Sequence, residues 1–147
     1  MPQMCPSSTL RLIERVKPHG FSMDERSQRM VWIDLEMTGL DIESESIIEI
    51  ATVITDSELN ILAQGPNLAI SVNEELLAKM DEWNTSHHNQ SGLVERVRNN
   101  SVSLEEAEKQ TLQFISKWVD QGVAPLCGNS IWNDRKFMEK EMKQLVK

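Results

Sequence analysis

The sequence predicts an α/β domain built on a mixed sheet, and three observations predict it. Three β-prone apolar runs follow one another across short polar breaks, at residues 31–36, 47–55 and 61–70. From Asn73 onward the apolar spacing changes to the period of helices. A short run, Pro125-Leu126-Cys127, then returns to strand character ahead of one more helical stretch.

In chain order, the first strand runs up to two acids, Asp34 and Glu36, before Thr38-Gly39-Leu40 breaks it. Residues 41–46 form a polar loop. Residues 47–55 are almost continuously apolar around Glu49, the pattern of a central strand buried on both faces. After a turn at 56–60, the third strand, interrupted by Gly65-Pro66, pairs antiparallel as a meander. Asn73 caps a helix with Glu74 and Glu75 in its first turn and Leu76, Leu77 and Met80 on its apolar stripe. Residues 83–88 read as a polar loop carrying Trp83, His87 and His88, and residues 91–99 as a short helix. Ser103 to Glu106 has capping-box spacing before a long helix whose face is Leu104, Ala107, Thr111, Ile115 and Trp118, expected to end near Gly122. Gly128-Asn129-Ser130 is the exit loop of the last strand. A helix over 134–146 then places Phe137, Met138, Met142 and Leu145 at core spacing.

Residues 1–28 have a different character, with Pro2, Pro6 and Pro18, several Ser and no sustained period. They are expected to be a disordered leader ahead of one domain at 29–147. Within the leader, residues 10–17 have the composition of a short basic amphipathic helix and of a weak mitochondrial presequence, against which Glu14, Asp24 and Glu25 count.

Composition narrows the function. The formal charge of −8 excludes binding of long nucleic acid through a broad basic surface, because that affinity comes from many Lys/Arg–phosphate contacts. A short oligonucleotide has few phosphates, so metals and a few local donors suffice for it. No apolar run approaches the roughly 18 residues of a membrane span, and no membrane partner is expected. Cys5 and Cys127 lie far apart, which fits a reduced intracellular compartment, cytoplasm or mitochondrion, with Cys127 a small core residue rather than a nucleophile.

Asp34 and Glu36 carry the chemistry. Alternate residues of a strand point to the same side, so these carboxylates repel each other unless a cation sits between them. A divalent metal is such a cation, although an isolated Asp-x-Glu is more often two solvated acids at a fraying strand end. Glu49 reads as a third metal acid or as a buried, hydrogen-bonded structural one. Asp134, where the chain leaves the 125–127 strand and enters a helix, can reach the end of the first strand; in isolation it would serve the helix dipole.

The string Asp34-Leu35-Glu36-Met37-Thr38-Gly39-Leu40, followed by Ile47-Ile48-Glu49-Ile50-Ala51, resembles the first motif of the oligoribonucleases. These are 3′→5′ exoribonucleases of the DEDD superfamily with a ribonuclease H-like fold. Met80-Asp81-Glu82-Trp83-Asn84, Ser91-Gly92-Leu93-Val94-Glu95-Arg96-Val97, and Cys127-Gly128-Asn129-Ser130-Ile131 with Asp134-Arg135 resemble later segments in the same order. The resemblance implies a ribonuclease H-like mixed sheet with flanking helices. It implies that Asp34, Glu36 and Asp134 are three of four carboxylates holding two Mg²⁺ or Mn²⁺ ions, hard cations that suit oxygen ligands. By motif position, Leu40 wedges between the terminal bases, Trp83 packs on a base, and His88 and Ser130 lie near the substrate. Apart from the resemblance, Leu40 reads as core, Trp83 as a half-buried helix-end aromatic and His88 as a solvated loop residue. The implied partners are short RNA oligonucleotides, cut from the 3′ end into 5′-mononucleotides, and a second copy of the intact family form.

In that family a His and an Asp on a last helix supply the general base and the fourth carboxylate. Residues 135–147 contain neither His nor Asp, the three histidines being His19, His87 and His88, and the chain has no Tyr for the tyrosine the family places before that helix. The expectation is a chain lacking the last C-terminal helices of the fold and inactive or nearly so, since a general base contributes about 10²–10⁴ in rate. The competing expectation is a non-catalytic nucleotide-binding or dimerising protein. Proofreading-type DNA exonucleases share the Asp-x-Glu logic and rank third, because the segments at 80–84 and 91–97 are not expected in them.

Overall fold

A computed structural model of the chain describes residues 23–147. Four strands form one sheet: β1 (Met30–Met37), β2 (Ile47–Thr55), β3 (Ile61–Ala69) and β4 (Leu126–Cys127), laid out as β3-β2-β1-β4. The first three are an antiparallel meander, and β4 lies parallel to β1, with Val31 opposite Leu126 and Trp32 opposite Cys127. A parallel neighbour needs a long crossover. Four helices supply it: α2 (Glu74–Lys79), α3 (Glu82–Gln90), α4 (Leu93–Asn99) and α5 (Leu104–Ile115). A short α1 (Met23–Ser27) precedes the sheet and α6 (Ile131–Glu141) follows it. The mixed α/β architecture is the expected one, consistent with a ribonuclease H-like exonuclease fold.

The alternation in β1 decides which face does what. Val31, Ile33 and Leu35 are buried, whereas Trp32, Asp34 and Glu36 lie on the opposite, more open face. The buried set joins Ile50, Ile54, Ala107, Phe137, Met138 and Met142 in the main core, beneath α5 and α6. A second, smaller core gathers Ile48, Ala69, Leu77, Met80, Leu93, Val94 and Val97 under α2 and α4. β3 runs unbroken through Gly65-Pro66, its pairing with β2 accommodating irregularities near Val53 and Thr55. Gly65 is needed there because a Cβ would sit 2.7 Å from the Phe114 ring of α5.

Several boundaries differ from those expected. Residues 83–88 are not a loop but the body of α3, which Asp81 caps by accepting from the Asn84 backbone N–H at 2.8 Å. Polar residues of low helix propensity hid it, and the cap offset that weakness. α5 stops at Ile115 rather than near Gly122, because the next turn tightens to three-residue bonds from Lys117 to Phe114 and from Trp118 to Ile115. The Arg29 guanidinium, stacked over Trp118, then takes the Trp118 carbonyl at 2.7 Å. α6 begins at Ile131, three residues before Asp134, and ends at Glu141, so Leu145 reaches the core from a turn rather than from the helix. Cys127 is half-buried in β4, where burial pushes its thiol up and keeps it a poor nucleophile.

Of the stretch expected to be a disordered leader, residues 1–22, with Cys5, His19 and the presequence-like 10–17, lie outside the described residues. Residues 23–27 form α1, held by the Arg26–Asp120 pair at 3.3 Å. Among the described residues, no helix is long and apolar enough to cross a membrane.

Candidate active site

The β1 strand aims its backbone at β4 on one side, and the Val31 N–H donates to the Pro125 carbonyl at 3.1 Å. Alternate residues of a strand share that direction, so the Leu35 N–H also points to the β4 side, beyond the point where β4 has ended at Cys127. The carboxylate of Asp134 takes the place of the missing strand, its Oδ1 accepting from the Leu35 N–H at 3.2 Å. An acid from α6 is thereby fixed to the strand segment that holds Asp34 and Glu36.

Gly128 lets α6 come this close. A Cβ there would meet the Ile33 carbonyl oxygen at 2.7 Å and the Ile131 side chain at 2.9 Å. Ser130 follows in the left-handed region at φ 53° and starts α6 with no side-chain cap of its own, leaving its hydroxyl exposed.

Asp134 is 6% exposed. Burial raises its carboxyl above the ordinary value; hydrogen bonds from its own and the Leu35 backbone N–H groups oppose that rise, and the Asp34 charge adds to it. Glu36 is raised as well, first by burial, with the His88 and His87 rings lowering it and the Asp34 and Glu49 charges raising it. Three carboxylates thus share one end of the sheet. Arginine and lysine ion pairs of the described residues include Arg26–Asp120, Arg96–Glu49, Arg98–Glu74, Lys109–Glu106, Arg135–Glu139 and Lys140–Glu141. Carboxylate oxygens are the donors that a hard divalent cation takes. Glu49, the cross-strand partner of Glu36, is engaged by Arg96, which favours the structural reading of that acid.

The loop after β1 is tied down from three directions. Thr38, buried, donates to Glu45 and accepts from the Ser46 backbone. Glu141 of α6 accepts from the Ser46 hydroxyl at 3.0 Å and the Ile47 N–H at 3.1 Å, and Lys140 donates to the Glu45 carbonyl at 3.3 Å. A large apolar residue is left standing out of a rigid loop, because Leu40 is 76% exposed and not part of the core.

Trp83 projects from the first turn of α3 and is 68% exposed, its ring stacked on His87 at 4.9 Å and 9°. His88 is not a solvated loop residue. It is 1% exposed, on the inner face of α3, with Nε2 bonded to the Met37 carbonyl at 2.9 Å and Nδ1 4.0 Å from Glu36 Oε2. Sequence reasoning missed this arrangement together with α3. The Asp81-x-x-Asn84 cap spacing was the signal available for it. Among the described residues, the set of His, Cys and acidic side chains whose ligand atoms all lie within 4.8 Å of one another is Glu36, His87 and His88, rather than the three carboxylates.

Comparison with known proteins places the chain in a family. A family model described as Exonuclease matches residues 31–147. The oligoribonuclease of Vibrio parahaemolyticus is 58% identical over 123 residues, covering 84% of this chain and 68% of that protein. The oligoribonucleases of Pseudomonas putida and Pseudomonas syringae are 55% and 56% identical over 121 residues, covering 82% of this chain and 67% and 68% of theirs. The fold and the matched domain define an exonuclease. Within that class the chain belongs to the oligoribonuclease family, a family of 3′→5′ exoribonucleases.

Proposed function

We propose that this chain binds the 3′ end of short RNA and contributes three metal-binding carboxylates to its hydrolysis into 5′-mononucleotides. The observation that carries the reading is the Asp134–Leu35 hydrogen bond, which joins an acid from α6 to the Asp34/Glu36 pair on β1. Asp34, Glu36 and Asp134 would hold Mg²⁺ or Mn²⁺, two ions in the family's site. Bound there, such ions stabilise charge on the attacking and leaving oxygens of an in-line phosphodiester displacement.

The protein's own residues do the positioning. Leu40, held out by its loop, enters between the two terminal bases, and Trp83 offers a ring face on which any base stacks. Ser130, exposed at the N-cap of α6, precedes Asp134 by one turn and offers its hydroxyl to the substrate. His88, buried and bonded to the Met37 carbonyl, acts through Glu36 and the backbone of β1 rather than by direct contact with substrate. None of these groups reads a base edge, which suits degradation without sequence preference.

Residues 135–147 hold neither His nor Asp, so they do not supply the base and the fourth carboxylate that the family uses. Turnover by these 147 residues alone is therefore expected at or near background, with substrate and metal binding retained. The test incubates a labelled RNA dinucleotide with the purified protein and Mn²⁺ beside an Asp34→Ala control, and measures both mononucleotide release and dinucleotide binding. Binding that needs Asp34 supports the reading, with or without release. Binding indifferent to Asp34 and to metal overturns it.

A further inference from the structure

His88 carries a buried atom with nothing to bond. Its Nε2 faces the Met37 carbonyl, which can only accept, so Nε2 carries the hydrogen and Nδ1 of the neutral ring is a bare lone pair. That Nδ1 has no hydrogen-bond partner in a side chain 1% exposed, and the nearest acidic oxygen, Glu36 Oε2, is another acceptor at 4.0 Å. Two acceptors pointed at each other across a gap too long for a hydrogen bond leave room for a cation. The adjacent His87 brings a second imidazole, and one ligand atom from each of the three residues falls within 4.8 Å of the others.

We propose that Glu36, His87 and His88 form a separate site for a borderline transition-metal ion of the Zn²⁺ class, distinct from the carboxylate site for hard cations and sharing Glu36 with it. Two imidazoles and one carboxylate are a donor set that Zn²⁺ accepts and that Mg²⁺ does not favour. Zn²⁺ bonds of about 2.0–2.2 Å place the ligands of one ion up to about 4 Å apart. Glu36 and His87 therefore close slightly on a fixed His88, as both reach solvent. The Met37 carbonyl on Nε2 is the outer-shell acceptor that metal-bound imidazoles ordinarily have, and it aims Nδ1 before any ion arrives.

Occupation has two consequences. His87 leaves its stack on Trp83, and Glu36 is withdrawn from the hard-cation site, so Zn²⁺ weakens Mn²⁺ binding there. This second consequence rests on the proposed function, whereas zinc binding itself does not.

Calorimetric titration of the full chain with ZnCl₂, without Mg²⁺ or Mn²⁺, tests the site. His87→Gln, at an exposed position, is expected to weaken Zn²⁺ binding about tenfold or more while leaving the Mn²⁺ affinity unchanged. His88→Gln is expected to weaken Zn²⁺ binding likewise, with near-ultraviolet circular dichroism checking that the buried substitution leaves the fold in place. Asp34→Ala should spare Zn²⁺ binding and weaken Mn²⁺ binding, which separates failure of this site from failure of the nuclease reading. Unchanged Zn²⁺ affinity in His87→Gln overturns the proposal, as does Zn²⁺ affinity lost equally with Asp34→Ala.

Discussion

The carboxylate of Asp134 replaces a strand: its Oδ1 bonds to the Leu35 N–H at 3.2 Å, on the side of β1 where β4 has already ended. One residue therefore completes the backbone pairing of β1 and carries charge to the site, and the two roles separate by substitution. Asp134→Ala leaves the Leu35 donor unmatched in a buried position, a loss of about 1–3 kcal/mol. Asp134→Asn keeps an acceptor for it and discards a charge that burial and Asp34 both disfavour. In EDTA, the Asn variant should melt at or above wild type and the Ala variant well below it. Both should lose Mn²⁺ affinity, so calorimetry beside thermal unfolding distinguishes the pairing role from the charge role.

Leu40 and Trp83 are large apolar groups that the fold leaves in solvent, at 76% and 68% exposure. Truncating either should cost little stability, within about 0.5 kcal/mol. Trp83→Ala should weaken binding of an RNA dinucleotide by about 1–3 kcal/mol, equivalent to roughly 5- to 150-fold in Kd. Leu40→Ala should weaken it less, since no ring face is lost. An unchanged dinucleotide Kd in Trp83→Ala would remove the tryptophan from the substrate surface.

How much of this was legible in the sequence depends on whether the controlling interaction was local. The strands carrying Asp34, Glu36 and Glu49 announce themselves by apolar runs, and the caps at Asn73 and Ser103 appear where their spacing puts them, with Asn73 accepting from the Leu76 N–H at 2.7 Å. The α3 helix did not announce itself, because residues 82–90 have no apolar stripe and are held by the Asp81 cap and by one buried histidine. Asp134 was visible as an acid near a helix start, but its bond to a backbone group 99 residues earlier is a tertiary fact with no local pattern. The early end of α5 is of the same kind, since the Arg29 side chain that takes the Trp118 carbonyl arrives from 89 positions away.

The Asp81 cap should make the placement of Trp83 sensitive to acid in one direction only. The Asn84 backbone N–H is the first of several groups holding the Asp81 carboxyl below its ordinary value. A carboxylate depressed in the folded state contributes stability that is complete above its unfolded pKa and lost as pH falls through the folded one. The melting-temperature gap between wild type and Asp81→Ala should therefore be constant from neutral pH down to about 5 and shrink below about 4. Asp81→Asn, which caps without titrating, should show no such shrinkage. A gap that widened in acid would mean that Asp81 does not act as the ionised cap.

Gly128 and Gly92 make a comparison that isolates the approach of α6 to β1. Gly92 sits at φ 76° before α4, with open space where a Cβ would go, so Gly92→Ala pays only for left-handed backbone, about 1–2 kcal/mol. That change is remote from Asp134 and should leave Mn²⁺ affinity as in wild type. Gly128 needs no unusual φ, but its Cβ would fall 2.7 Å from the Ile33 carbonyl oxygen, a backbone atom that cannot turn away. In Gly128→Ala the exit of β4 must therefore move off β1, taking the start of α6 with it, and a displacement of even half an ångström strains the Asp134–Leu35 bond. Gly128→Ala should accordingly lose both stability and Mn²⁺ affinity, where Gly92→Ala loses stability alone. Equal Mn²⁺ affinity in the two variants at 25 °C, with both folded by circular dichroism, would mean that the close approach at Gly128 does not position Asp134 for metal.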